Sequence, residues 1–289
     1  MPSPLSYTAL VIGATGSVGK EVVSALLSSD KCSSIVVVSR NSSRYSASTP
    51  KPNKVVEHVL AMPSSAAPEG PEIVQLQNAA SKLFSTSLSS TPANTTPATT
   101  ALFITMGAGA ASKVTPSALE LADVSIPVAL ARAACSATSV SHVSLLTAAQ
   151  ANASDTPRPK KTFLTSIGVV PETVALGPLY NWLKGRAELS AASLPVDSCA
   201  FFRPGTLVGS PHTPPFLRYA APLMDKVLPI SLMSSDVSVL GKAMVGFAEE
   251  EMEKGGEKGD GEKTEKKEGP RCTVQEGSSL QELYKSMRL

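Results

Sequence analysis

Tyr180 and Lys184 stand four residues apart in Tyr180-Asn181-Trp182-Leu183-Lys184, and on a helix that spacing places a phenol and an ammonium on one face. A neighbouring cation stabilises phenolate, which equips the phenol to give a proton to a carbonyl oxygen while hydride arrives at the carbon. Gly13, Gly16 and Gly19 in Gly13-Ala14-Thr15-Gly16-Ser17-Val18-Gly19 follow an apolar run and precede a helical pattern. Gly13 permits a tight turn, Gly16 lets a pyrophosphate approach the backbone, and Gly19 lets helix pack closely on strand. The N-terminus of the following helix offers free N–H groups to the phosphates. The next strand ends in Ser39-Arg40 rather than in an acidic residue. A guanidinium there suits a 2′-phosphate better than a ribose hydroxyl, so NADP(H) is preferred, with NAD(H) the alternative and Arg44 a helper.

The elements that must position these groups alternate along the chain. Residues 8–12 form a continuous apolar strand, and Val22, Val23, Leu26 and Leu27 mark a helix over 18–27. Further strands fall at 34–39, 55–60, 72–75, 101–105, 140–146 and 198–202, with helices over 117–137, disturbed at Pro127, and over about 179–190. Strands apolar on both faces and separated by helices imply a doubly wound parallel sheet. The Ser, Thr and Pro bias of 85–100 predicts a mobile excursion, and the Gly, Glu and Lys run of 249–270 a solvated, disordered charged loop. A short strand at 272–274 and a helix near 279–287 close the chain. The predicted organisation is a Rossmann-type domain over 1–248 that includes a small C-terminal substrate-side lobe, the charged loop at 249–270, and a strand and helix at 271–289 that pack back on the domain.

Composition narrows the function. The 289 residues carry 26 Lys and Arg against 24 Asp and Glu, a net charge of +2, and only 4% aromatics, so neither a polyanion field nor base-stacking platforms point to nucleic acid. Cys32, Cys135, Cys199 and Cys272 are far apart in sequence and, like His58, His142 and His212, show no metal-ligand spacing. No metal site is expected, and the thiols are expected to be reduced. No stretch reaches eighteen uninterrupted apolar residues and the N-terminus lacks a basic leader pattern, so no transmembrane segment is expected, while a peripheral membrane contact stays open.

With these motifs in order, the chain resembles the short-chain dehydrogenase/reductase superfamily in its atypical branch, nearest the Tat-interacting oxidoreductase-like and Fmp-type mitochondrial proteins. The resemblance rests on the Gly13 to Gly19 turn, Arg40, Phe103 to Gly107, His142 to Leu146, Tyr180 to Glu188 and Phe202-Arg203-Pro204-Gly205. It implies that Gly13, Thr15, Gly16, Ser17, Val18 and Gly19 hold the pyrophosphate and Arg40 the 2′-phosphate. Met106 and Gly107 would border the adenine side, Lys184 would bind the nicotinamide ribose, Tyr180 would be the acid, and Pro204 would lie beside the nicotinamide amide. It also implies a small-molecule carbonyl substrate and a cytoplasmic location, with attachment to the mitochondrial outer membrane as a variant.

The chain departs from that pattern at four places, one of them Gly107-Ala108-Gly109-Ala110, which lacks the Thr-Thr-Arg that follows the equivalent glycine in the nearer relatives. Thr147-Ala148 stands where a Ser-Ser pair is usual, so the hydroxyl that polarises the carbonyl is Thr147 or absent. By analogy with the loss of one oxyanion donor, absence removes about 3 kcal/mol of transition-state stabilisation. The stretch between Ala148 and Tyr180 is longer than the group normally shows. Gln75 replaces an acidic residue after the third strand and would hydrogen-bond adenine. The expected function is an NADP(H)-dependent oxidoreductase acting on a carbonyl or alcohol; the alternative is a dinucleotide-binding regulatory or scaffold protein without turnover, working through a protein partner. The apolar segment from Phe216 to Met224 is expected to cover the substrate pocket or simply to pack on the sheet, and Trp182 and Phe201 are expected to pack.

Overall fold

The structure is a computed structural model that describes residues 5–42, 45, 49–64, 67, 69–88, 99–108, 114–152, 176–210, 234–257 and 269–286. Arg44, His212, residues 89–98, the 153–175 part of the long stretch before Tyr180, and the 216–224 segment lie outside these.

Strand β1 (Tyr7–Ile12) is buried at every position, as a strand covered on both faces must be. Helix α1 (Ser17–Ser28) turns Val18, Val22, Val23 and Leu26 inward and leads to β2 (Cys32–Ser39). The C-terminal carbonyls of α1 are closed by Lys54, whose Nζ donates to Leu26 O and Ser29 O, each at 2.7 Å; a cation suits that end of the helix dipole. Then follow β3 (Val55–Val59), α2 (Pro71–Leu88) and β4 (Thr99–Ile104). Helix α3 (Pro116–Glu120) starts where the Thr115 side chain accepts from Ala118 N, with Pro116 in the first turn, which has no need of its N–H. A π turn (Leu121–Ser125) joins α3 to α4 (Ile126–Ala137). The disturbance expected at Pro127 therefore takes the form of a widened turn that absorbs the proline's missing donor. The chain continues through β5 (Val140–Leu146), α5 (Leu176–Ala192), β6 (Ser198–Arg203), β7 (Leu207–Val208), β8 (Ser235–Asp236), α6 (Val237–Glu257), β9 (Arg271–Glu276) and α7 (Ser278–Ser286).

Seven strands form one parallel sheet in the order β3-β2-β1-β4-β5-β6-β9, and β7 pairs with β8 apart from it. Helices α1 and α6 cover one face and α2, α4 and α5 the other, each over its own apolar core. This is the doubly wound Rossmann-like α/β architecture expected. The winding reverses between β1 and β4, so the loops after these strands diverge and leave a crevice at their C-terminal ends, where ligands of open α/β sheets bind.

Two expectations are corrected. Residues 72–75 are not a strand: Ile73, Leu76, Ala80 and Phe84 are buried on one face of α2, a helical repeat that four residues alone do not display. Gln75 lies on the exposed side of that helix and follows no strand. Of the stretch 249–270, the part through Glu257 is helical, because Val245, Ala248 and Met252 continue the buried stripe of α6, and residues 258–268 lie outside the described residues. Acidic residues of the helical part have partners at the start of β1 and in the link from α1 to β2: Glu249 Oε1 accepts from Tyr7 OH at 2.9 Å and Ser29 Oγ at 2.5 Å, and Glu253 pairs with Lys31 at 2.7 Å. Residues 85–88 likewise belong to α2, and Thr99 and Thr100 to β4.

Beneath α6, the sheet buries a polar group completely. His142 has no exposed surface; its Nδ1 shares a hydrogen bond with Ser198 Oγ at 2.8 Å and its Nε2 with Ser144 Oγ at 3.0 Å. Burial, with a smaller contribution from Arg271, lowers its pKa from 6.5 to about 3. An unfolded chain takes up this proton near the ordinary value, so the folded state loses stability as pH falls from there toward 3. Between pH 7 and 5 His142 alone should account for roughly 2 kcal/mol. Urea unfolding at both pH values tests this: His142→Gln should show a loss smaller by that amount, and identical losses would exclude His142 as the source.

Candidate functional site

The glycine turn is shaped by close backbone contacts. Gly13 has φ of +89°, a region L residues rarely adopt, and a Cβ there would lie 2.5 Å from Met106 N. At Gly19 a Cβ would lie 2.2 Å from Gly13 O and 2.7 Å from Thr105 Oγ1, so the third glycine lets α1 settle against the turn and the end of β4. The turn is closed by Gly16 N donating to Gly13 O at 3.0 Å. Thr105 Oγ1 lies 3.1 Å from the same oxygen and 3.2 Å from Ile12 O. Gly16 is the N-cap of α1, with no side chain capping the first turn, which leaves backbone donors at the mouth of the crevice. Thr15 is exposed and Val18 buried. Ser17 Oγ meets Ser210 Oγ at 3.2 Å, which brings the segment after β7 across the start of α1. Arg40, exposed, follows β2 on the same side of the sheet. Tyr45, which sequence patterning did not single out, donates to Ala14 O at 2.6 Å and so covers the turn from the β2 side.

Met106 and Gly107 run from this turn to the second half of the site. A Cβ on Gly107 would lie 3.0 Å from Asp123 Oδ1 and 3.5 Å from Lys184 Nζ. Lys184 is buried on α5 and forms an ion pair of 2.5 Å with the equally buried Asp123 of the π turn, whose Oδ2 accepts from Ala108 N at 3.0 Å. Burial pulls the pKa of the ammonium down, but Asp123, with Tyr180 and Glu188 adding to it, holds the Lys184 pKa above its ordinary value. Tyr180, half-buried beside Leu119 and Leu183, has Lys184 Nζ 5.5 Å from its ring centroid. Phenol and ammonium thus share one helix face and one wall of the crevice. Trp182 is half-buried under Arg186, 5.9 Å from its ring, and Phe201 is buried in the core.

One turn further along α5, Glu188 is the hub of a second network. Arg203 grips it twice, Nε to Oε1 at 2.8 Å and a terminal nitrogen to Oε2 at 2.5 Å, the bidentate geometry that makes such pairs strong. Thr147 Oγ1 donates to Glu188 Oε1 at 2.8 Å and lies 3.2 Å from Phe202 O. Its single proton is thus directed into the protein. Arg203 also reaches Glu276 of β9 at 3.1 Å, and Glu276 Oε1 accepts from Gln150 N at 3.1 Å, where φ is +64°. Pro204 is buried and its carbonyl accepts from Ala149 N at 3.0 Å.

The structure therefore brings Gly13, Gly16, Gly19, Ser17, Met106, Gly107, Lys184 and Tyr180 along one crevice, and places Thr147 and Pro204 on the neighbouring strand ends. Sequence patterning missed Asp123, Arg203 and Glu276 as partners. The one signal for Asp123 was an acid inside the otherwise apolar stretch Leu121-Ala122-Asp123-Val124, since a buried lysine needs a counter-ion.

No protein-family model matches the chain, and no curated protein matches it in sequence. Its fold is that of short-chain dehydrogenase/reductase structures. A 3-oxoacyl-(acyl-carrier protein) reductase from Brucella melitensis in complex with NAD superposes with a TM-score of 0.57 at 14% identity, covering 96% of this chain and 98% of that one. L-sorbose reductase from Gluconobacter frateurii, complexed with NADPH and L-sorbose, gives 0.54 at 14% identity over 85% and 90% of the two chains. A short-chain dehydrogenase/reductase from Serratia marcescens gives 0.53 at 14% identity over 85% and 92%. Among the described residues, no helix is long and apolar enough to cross a membrane.

Proposed function

We propose that the protein is an oxidoreductase of the short-chain dehydrogenase/reductase type that moves hydride between NADP(H) and a small carbonyl or alcohol. The observation that carries this reading is the crevice itself: a turn that tolerates only glycine at Gly13, the uncapped start of α1, and the Tyr180 and Lys184 pair on its far wall. The residues fit a dinucleotide. Backbone N–H groups of the turn, Ser17 and the start of α1 would receive the pyrophosphate, Met106 and Gly107 would border the adenine side, and Lys184 and Pro204 would border the nicotinamide end. The cofactor, when bound, supplies or accepts the hydride. For the chain's own residues, Tyr180 holds the proton that passes to or from the substrate oxygen, and Lys184 places a positive charge beside that phenol.

Arg40 supports the preference for NADP(H), since no acidic side chain ends β2 to accept from a ribose hydroxyl. NADPH is expected to bind at least about ten-fold more tightly than NADH, and Arg40→Ala to abolish the difference by weakening NADPH alone. Calorimetric titration of both cofactors measures this; equal affinities in the unmutated protein would remove the preference while leaving the dinucleotide site standing.

A second reading has its own support. Ala148 lacks a hydroxyl and the Thr147 hydroxyl is engaged by Glu188, so the carbonyl would go without one donor. In that reading the protein binds the dinucleotide without turnover, as a regulatory or scaffold component. Oxidation of NADPH against aldehydes, ketones and quinones separates the two.

A further inference from the structure

Cys199 and Cys272 lie far apart in sequence yet are register partners across the parallel pair of β6 and β9. Partners in a parallel pair point to the same face, and neighbouring strands run about 4.8 Å apart. That spacing lies within the roughly 4.4–6.8 Å between Cα atoms that a disulfide spans. The two thiols therefore face each other across the strand pair, each hydrogen-bonded to a backbone carbonyl of its own, Cys199 to Ala191 O and Cys272 to Pro270 O. They differ in access: Cys199 is 1% exposed, its Sγ 3.5 Å from Ala191 O of α5, whereas Cys272 is exposed on the edge strand. An accessible thiol with a buried one directly beside it on the neighbouring strand is the arrangement needed for attack by the first and resolution by the second.

We propose that Cys199 and Cys272 form a reversible dithiol–disulfide site that covalently ties the edge strand β9 to β6 under oxidising conditions. With a low-molecular-weight disulfide as oxidant, the Cys272 thiolate attacks one sulfur, forming a mixed disulfide and expelling one thiolate. Cys199 then gives up its proton and attacks Cys272 Sγ, expelling the second thiol. Two electrons pass from the protein to the reagent, whose one disulfide becomes two thiols carrying the two protons the cysteines lose. Burial raises the pKa of both thiols. Exchange therefore quickens as pH rises above neutrality.

The location gives this site a consequence. Arg203 and Glu276 are register partners four residues farther along the same two strands, on the same face as the cysteines. Their ion pair joins β9 to Glu188 and Gln150 beside the crevice. Oxidation thus fixes the strand that carries Glu276, independently of whether a dinucleotide binds.

The test is incubation of the full chain with oxidised glutathione at pH 8, alkylation of free thiols and peptide mapping, with the thermal midpoint read in parallel. A Cys199–Cys272 cross-linked peptide is expected, together with a midpoint raised by roughly 5 °C or more, both reversed by dithiothreitol. Cys272→Ser, on the exposed strand, should abolish both and Cys135→Ser neither. A stable glutathione adduct on Cys272 with Cys199 still free, a bond from Cys199 to Cys135, or a cross-link between two chains through Cys272 would each overturn the proposal.

Discussion

Replacing Asp123 by Asn should destabilise the folded protein by roughly 3 kcal/mol or more, the cost of leaving one member of a buried ion pair unpaired. The side chains of Lys184 and Asp123 retain 7% and 2% exposure, so water cannot replace the lost carboxylate. The remaining stabilisers of the ammonium, Tyr180 and Glu188, are weaker than Asp123 and act against burial. In the variant the balance reverses and the folded pKa of Lys184 drops below its value in the unfolded chain. A lysine with a depressed folded pKa loses stability as pH falls, so the deficit of Asp123→Asn should shrink when pH rises from 7 to 9. Denaturant unfolding at the two pH values measures this. A second substitution, Lys184→Met, should restore most of the loss, because an apolar side chain of similar length needs no counter-ion in that wall. A deficit unchanged by pH and by the second substitution would mean that the pair contributes packing alone.

This ion pair also marks the limit of what was legible in the sequence. Continuous apolar runs such as Leu10-Val11-Ile12 and Val36-Val37-Val38 announce strands buried on both faces, and the turn between Gly13 and Gly19 carries its function in three adjacent constraints on backbone shape. Those are local properties. The partnership of Asp123 with Lys184 depends on a π turn bringing one helix against another, and the clasp of Arg203 by Glu188 and Glu276 depends on the sheet order that sets β9 beside β6. The pairing of Cys199 with Cys272 has the same origin. Residues 72–75 looked like a strand because Ile73 and Val74 favour one locally, while the deciding contacts of Leu76, Ala80 and Phe84 come from the facing helix α4. In the charged run after Ala248, a single buried Met252 keeps α6 in register against a strongly polar composition. Its acids gain Tyr7, Ser29 and Lys31 as partners only once α1 and α6 have packed.

If hydride transfer takes place in the crevice, Tyr180→Phe should lower turnover by roughly 10²- to 10⁴-fold while leaving the affinity for NADPH within about two-fold. The two readouts separate because the glycine turn and the phenol occupy opposite ends of the site, and removing one hydroxyl from a half-buried ring leaves the contacts with Leu119 and Leu183 in place. Thr147→Val provides the comparison. Because the Thr147 proton is given to Glu188, its loss should act mainly on stability, by roughly 1.5–3 kcal/mol for one hydrogen bond lost from a charged acceptor that keeps Arg203 as its other donor, and only weakly on turnover. A Tyr180→Phe protein that still reduces its substrate at the original rate would remove Tyr180 from the chemistry. A Thr147→Val protein that loses turnover at unchanged stability would show that the hydroxyl leaves Glu188 for the substrate oxygen. If the unmutated protein binds NADPH yet reduces no aldehyde, ketone or quinone, the binding-only reading gains, and the reason lies at the end of β5. There Ala148 offers no hydroxyl and Glu188 holds the one on Thr147, so a carbonyl beside Tyr180 would meet a single donor where the developing oxyanion needs two.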